Sequence, residues 1–442
     1  MDLMKQKRVH ILTYGCQMNV SDSEKIEASL LSIGYTATRS IKNADLVILN
    51  TCSVRAKAEE KIYGVLLTMK GELKRNPRLL IGVGGCVAQQ EGERLLNRVP
   101  HLSFVFGTHN LHLLPQMVQE AETGRRLVET SFMDDDSRLD LFPSQRGGGV
   151  SCYVTIMQGC DNFCSYCIVP FVRGREVSRR SSDILNEINR LVENGTREIT
   201  LLGQNVNSYG LKESENADFS TLLRQVAAIP GLERIRFMTS HPKDISGPLI
   251  DCYADLEKLC AHIHLPIQSG SDRVLQMMNR GYTRKEYLQK AELLRRARPG
   301  ILFTSDLIVG FPGETEEEFS ETLSLMEEVN FSDSYSFVYS PRPETAAASL
   351  PDEVTKTEKA ERLDRLLALQ RKMTADLHRA LVGSRQSVLV EGLGKRHGQI
   401  FGRSSGNRIV NFPGSPEMIG SMLNVSIVKD FQNSLLGENN VL

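Results

Sequence analysis

Three cysteines, Cys160, Cys164 and Cys167, stand close together in QGCDNFCSYC, and the stretch supplies no fourth thiol or imidazole. A structural zinc ion closes its tetrahedron with four protein ligands. An iron-sulfur cluster is held by thiolates, and one held by three of them leaves an iron open. The CxxxCxxC loop directly follows the strand candidate YVTIMQ, so its thiols sit at a C-terminal strand end, where α/β barrels place their chemistry. We expect an open cluster here rather than a zinc ion or redox thiols, with the missing ligand as the working position. Cys152, in the preceding strand, reads as core.

A second triplet becomes visible through spacing. Cys16, Cys52 and Cys86 are separated by 36 and 34 residues (52 − 16 and 86 − 52), about one βα unit each. Each closes a strand candidate, in TYGC, NTC and GGC. Parallel strands share one C-terminal edge, so the three thiols should meet there. A single buried cysteine is usually packing, but three in register call for a common role. Gly15 and the pair Gly84-Gly85 would let backbone approach a bulky inorganic group. We expect a second three-ligand cluster.

The elements that must position these thiols fall into three regions. From Lys7 to about Glu120, β-rich runs alternate with helical ones, as expected of a parallel-sheet α/β domain, placed at 7–123. The acidic, then glycine-rich run SFMDDDSRLDLFPSQRGGG reads as a linker. Over 147–376 six strand candidates (YVTIMQ, REITLLGQN, RIRFMTS, HIHLPIQ, LFTSDLIVG and SYSFVYS) predict a partial (β/α)6 barrel. The helical run KTEKAERLDRLLALQRKMTADLHRAL leads out of it. At 379–442, SRQSVLVEG, GQIFGRS, NRIVNF and MLNVSIVKD predict a small β-barrel. The fold class is α/β with three domains.

The 442-residue chain is 40% hydrophobic and 24% charged, with a net charge of -1. That balance excludes a globally basic protein and leaves room for a local basic patch. MDLMKQKRVHILTYG is no signal peptide, and no apolar run reaches the ~18 residues of a membrane span. A cytoplasmic location is expected, with nine cysteines serving as ligands or packing rather than disulfides.

CDNFCSYC followed by IVPFVRGRE resembles the cluster loop of radical S-adenosylmethionine (SAM) enzymes. The resemblance implies that the open iron binds the amino and carboxylate groups of SAM, which an electron cleaves to a 5′-deoxyadenosyl radical. It also makes SAM contacts of Gly203, Gln204, Asn205 and Asn207 in GQNVNSYG, Gln268 and Ser269 in PIQSGSD, and Gly310 and Pro312 in LIVGFPGET. Across essentially the whole chain, two three-cysteine sets and a terminal barrel resemble the methylthiotransferase family. TYGCQMN, NTCSVR and GGCVAQ are most similar to its tRNA-acting branch. The third region resembles a TRAM domain. Its run GKRHGQIFGRSSGNRIVNF offers Lys395, Arg396, His397, Arg403 and Arg408, with Phe401 and Phe412 interleaved, to RNA.

What the resemblance implies is methylthiolation of carbon 2 of N6-dimethylallyladenosine next to the tRNA anticodon. That C–H is neither acidic nor electrophilic, so a radical route is required. Two SAM molecules and two 4Fe-4S clusters would serve it, with one SAM methylating a sulfur at the Cys16/Cys52/Cys86 cluster and a second cleaved at the barrel cluster. Implied partners are the tRNA anticodon stem-loop and an electron donor such as flavodoxin or ferredoxin, with the chain acting as a monomer. Alternatives within the family are a ribosomal-protein aspartate or a threonylcarbamoyl-adenosine of tRNA as substrate. Outside it stand an iron-sulfur carrier and a zinc-containing RNA-binding protein. His262, His264, Cys252 and Cys260 read as structural. The loop Ser240 to Asp244 could touch SAM or substrate, and Arg173 and Arg175 could meet SAM, RNA phosphate or the cluster's charge.

Overall fold

The computed structural model describes residues 6–53, 56–133, 149–212 and 217–439. Most of the expected linker therefore lies outside the described residues. The first region is a six-stranded parallel sheet of β1 (Lys7–Thr13), β2 (Tyr35–Ala37), β3 (Leu46–Thr51), β4 (Leu80–Gly85), β5 (Phe104–Phe106) and β6 (Leu127–Glu129), in the order β2-β1-β3-β4-β5-β6. β3 reads LVILNT and is buried along its whole length, as a central strand covered on both faces must be. Its register aligns Thr13 with Asn50 and Asn50 with Gly84, so β1, β3 and β4 end together. The helical run after Cys86 is two short helices, Cys86–Glu91 and Glu93–Arg98, divided at Gly92 with a φ of 49°.

The central region carries β7 (Ser151–Thr155), β8 (Met157–Gln158), β9 (Val177–Ser178), β10 (Glu198–Leu202), β11 (Arg234–Phe237), β12 (His262–His264), β13 (Leu302–Val309) and β14 (Asp333–Val338). Two parallel sheets, β7-β10-β11 and β12-β13-β14, meet through the bridge Ile235 to Leu259 and form an open six-stranded barrel wall. β8 and β9 pair as a short antiparallel ribbon where the chain enters and leaves the cysteine loop. In β11 the alternation of RIRF sends Ile235 and Phe237 into the outer core, Phe237 against Phe219 at 5.1 Å, and Arg234 and Arg236 to the opposite face.

Helix Lys356–Leu381 starts in a capping box between Thr355 and Glu358. It leads to β15 (Arg385–Leu393), β16 (Gln399–Ser404), β17 (Ile409–Pro413), β18 (Met422–Phe431) and β19 (Ser434–Glu438), a closed barrel in the order β15-β16-β17-β19-β18. Its core includes Val388, Val390, Ile400, Val410, Phe412 and Ile427. β19 is absent from the four-strand sequence reading, and it closes the barrel between β17 and β18.

The β16–β17 turn docks on the N-terminal ends of the central strands. Arg236 donates to the Ser404 carbonyl at 2.8 Å and the Ser405 carbonyl at 3.1 Å, and Arg234 to the Arg403 and Ser387 carbonyls at 2.5 and 2.6 Å. The Ser405 hydroxyl accepts from the Ala261 amide at 2.8 Å. The terminal barrel thus stoppers one mouth of the central barrel, and the cysteine loop sits at the other.

Candidate active site

Cys16 precedes helix Gln17–Leu31, Cys52 follows β3, and Cys86 opens the helix after β4. Two buried asparagines tie these ends together. Asn19 donates to Asn50 Oδ1 at 3.2 Å and the Thr51 carbonyl at 3.1 Å, while Asn50 donates to the Asn19 carbonyl at 2.8 Å. Thr51 Oγ1 reaches the Gly84 carbonyl at 2.6 Å. At Gly15, with a φ of 134°, an added Cβ would collide with Asn19 and with Cys52 Cβ. A hydrogen bond from Cys52 draws the Cys16 thiol down to about 6, against burial and with help from Arg173. Burial pushes Cys86 up, and the Arg173 guanidinium opposes it.

Arg173 comes from the other domain. It ends the one-turn helix Val169–Arg173, which begins two residues after Cys167. Its guanidinium donates to Asp22 Oδ2 at 2.6 Å, with both side chains nearly buried. Ile168 and Val172 pack on Cys86. The carbonyls at the end of this helix are taken up by the first domain, Val172 by Thr108 Oγ1 at 2.6 Å and Arg173 by the His109 ring at 3.0 Å. One helical turn therefore connects the two cysteine triplets, pinned at its far end by the sheet that carries the first.

In the barrel loop, Gln204 Oε1 accepts from the Gly159 amide at 2.6 Å. Arg280, buried, donates to Cys164 Sγ at 3.2 Å, the Tyr282 hydroxyl at 2.8 Å and the Pro266 carbonyl at 2.7 Å. Burial pushes Cys160 up to about 11 and, reinforced by Cys164, Cys167 up to about 12. Thiols in such surroundings ionise only with a positive partner, which is what iron supplies. No His, Cys, Asp or Glu group among the described residues is arranged to hold a single metal ion. The ligands of a multinuclear cluster bind different irons, so that absence does not bear on a cluster.

The expected SAM contacts follow β10, β12 and β13, and several are already engaged. A Cβ at Gly203 would collide with Met157. Asn205 binds Asp244 at 2.7 Å and the His241 amide at 3.1 Å, and Asn207 donates to the His241 carbonyl at 3.2 Å, so both knit the β10 loop to the Ser240–Asp244 loop. Gln268, with a φ of 77°, bridges Asp306 and Ile308 through its backbone. Ser269 faces Thr322 of an outer helix at 3.4 Å. Gly310 donates to Glu314 Oε2 at 2.6 Å beside the buried Pro312. Among the described residues, the buried polar atoms without a protein partner include Gln158 Nε2, Asn207 Oδ1, Ser240 Oγ and His241 Nε2 in the central region.

The sequence reading missed Gln158, Asn19, Asn50, Asp22 and Arg280, although Asn19 and Asn50 stand within the words TYGCQMN and NTC that the cysteines marked. In the terminal barrel, Lys395, Arg396 and His397 are exposed on the β15–β16 turn, and Arg403 is partly exposed beside Glu391 at 3.3 Å. Arg408 and Phe412 correct the expectation. Arg408 is buried against Ser332 of the central domain, and Phe412 fills the barrel core. His262 and His264 both bind Thr304 Oγ1 at 3.1 Å, and Cys252 and Cys260 are buried packing.

An open barrel with a three-cysteine loop at its C-terminal mouth defines a radical SAM enzyme, and the radical SAM superfamily matches residues 154–326. SAM and a 4Fe-4S cluster belong to that chemistry. The uncharacterized protein family UPF0004 matches residues 8–107 and the TRAM domain residues 379–439. The chain is 62% identical to the tRNA-2-methylthio-N(6)-dimethylallyladenosine synthase of Geobacter sulfurreducens, over 99% of this chain and 98% of that one. Against the synthase of Syntrophus aciditrophicus it is 49% identical, over 98% and 95%. It belongs to the tRNA-2-methylthio-N(6)-dimethylallyladenosine synthase family of radical SAM methylthiotransferases. Among solved structures, the radical SAM methyltransferase TsrM from Kitasatospora setae shares the fold at a TM-score of 0.57 and 13% identity, covering 90% of this chain and 77% of that one.

Proposed function

We propose that this chain places a methylthio group on carbon 2 of N6-dimethylallyladenosine next to the anticodon of tRNA. The observation that carries the reading is the junction of two thiol triplets through helix Val169–Arg173. One triplet suits any SAM-cleaving enzyme. Two facing each other across a single helical turn suit a reaction that must deliver sulfur as well as a radical. The relatives' name supplies the base and the nucleic acid.

In this reading Cys160, Cys164 and Cys167 hold one 4Fe-4S cluster and Cys16, Cys52 and Cys86 an auxiliary one. When bound, the first supplies the electron that cleaves SAM and the second a seat for the transferred sulfur. Arg280 fixes the barrel loop, and Asn19 and Asn50 fix the other. Gly203, Gln204, Asn205, Asn207, Gln268, Ser269, Gly310 and Pro312 shape the SAM pocket, while Asn207 Oδ1, Ser240 and His241 offer the polar atoms still unpaired. Lys395, Arg396 and Arg403 take tRNA phosphates. A flavodoxin or ferredoxin is the donor, and the enzyme works as a cytoplasmic monomer; no described helix is long and apolar enough to cross a membrane.

Replacing Cys16, Cys52 and Cys86 together by Ala tests the division of labour. The variant should form 5′-deoxyadenosine with reductant but retain no labelled acid-labile methylthiol from SAM. Methylthiolated tRNA from the triple variant would remove the second cluster from the account. Supplying the parent with both substrates, the tRNA and the ribosomal protein, separates the sister activity.

A further inference from the structure

Phe163 stands between Cys160 and Cys164 with a φ of 45°, a left-handed conformation that bulky L-residues rarely adopt. It is 44% exposed. Neither burial nor backbone preference accounts for a phenylalanine here, since both favour asparagine or glycine. A residue held against its preference points to a use for the side chain. The backbone is held by Asn279, whose amide donates to the Phe163 carbonyl at 3.0 Å.

The Arg175 guanidinium lies over the ring at 5.5 Å and is gripped by both Asp161 oxygens at 2.7 and 3.1 Å. Lys212 binds the same carboxylate and lies 4.0 Å from Glu176. The charges are layered. Arg175 and Lys212 are 74% and 46% exposed, whereas Asp161 and Glu176 are 15% and 4% exposed. The loop therefore turns an aromatic face and two cations outward and keeps its carboxylates beneath.

We propose that the Phe163 ring is a stacking platform for an unpaired RNA base beside the target adenosine, with Arg175 and Lys212 at the adjoining phosphates. This deepens the tRNA reading and rests on it. A base offers a π-face to the ring and its phosphates offer charge to the cations, a pairing that an apolar protein surface lacks. The rival role is a plain hydrophobic cover over the cysteine loop, which leucine would fill as well as phenylalanine.

The test is binding of an anticodon stem-loop carrying 2-aminopurine beside the target adenosine, read by affinity and by quenching of the probe, with iron and acid-labile sulfide measured on every protein. Phe163→Ala should bind about ten-fold more weakly and lose the quenching. Phe163→Tyr should restore both and Phe163→Leu neither. Parent-like binding and quenching by Phe163→Leu overturns the platform, as does parent-like behaviour of Phe163→Ala. If Phe163→Ala loses iron, the leucine and tyrosine variants, which keep the bulk, decide. A parent protein that does not bind the stem-loop overturns the tRNA reading, and the platform with it.

Discussion

Arg173 and Asp22 form a nearly buried pair at 2.6 Å. Removing one member of such a pair leaves a charge without compensation, at a cost of about 3–5 kcal/mol, whereas removing both is far milder. Arg173→Met should therefore lower stability in urea by that amount, and Arg173→Met with Asp22→Leu should recover most of it. An additive double variant would mean that the pair is not coupled. His241 gives a pH signature. Burial, with Arg280, Lys243 and Lys290 nearby, holds its imidazole down to about 2. Below 6.5 the unfolded chain binds the proton that the folded chain refuses, so stability falls as pH drops from 6.5 toward 2. At pH 5 this amounts to about 2 kcal/mol. His241→Asn should remove that share of the acid loss between pH 7 and 5, measured by urea unfolding. The cysteines were legible because spacing alone exposes them. Arg280 was not, because it meets Cys164 across 116 positions of sequence, which no local pattern records.

At the scale of elements, the strand ends decide where thiols meet. Gly15→Ala would push a methyl group into Asn19 and Cys52 and force a φ of 134° on an L-residue. On the two-cluster reading, the expected result is a folded protein that retains about half of the parent's iron, by iron and sulfide analysis. Equal iron in variant and parent would show that the Cys16 turn tolerates the shift. β1, β3 and β4 could be read from their apolar runs. β2, β5 and β6 have three residues each, too few to display a period. The docking of the β16–β17 turn was also invisible, because Arg234 and Arg236 in a strand look like ordinary solvent-facing alternation until the terminal barrel covers them. Arg236 also pairs with Glu198 at 3.0 Å. Arg236→Met should cost about 3–5 kcal/mol by stranding that buried carboxylate, read by thermal unfolding; a change below about 0.5 kcal/mol, typical of surface sites, would mean that the docking contributes nothing to stability.

In the whole molecule, the exposed turn with Lys395 and Arg396 lies at the end of β16 opposite the docked turn. Reversing both charges to Glu should weaken binding of full-length tRNA. It should also reduce the salt dependence of that binding by about 0.7–0.9 in log-log slope for each phosphate that is no longer neutralised. An unchanged slope would return these residues to the solvated surface. The docked turn has a further consequence, which concerns synthesis rather than catalysis. Arg236 finds its carbonyl partners 168 and 169 positions later. At about 5–20 residues per second those partners follow it out of the ribosome's catalytic centre by roughly 10–30 s. Only over the last 66 positions of that interval (404 − 338), once β14 has ended at Val338, does the central wall have all its strands while lacking the groups that satisfy its inner charges, and there it should stay loosely closed. A ribosome stalled before Ser404 should display a central domain that protease cuts readily, and one released with the complete terminal barrel should display a resistant one.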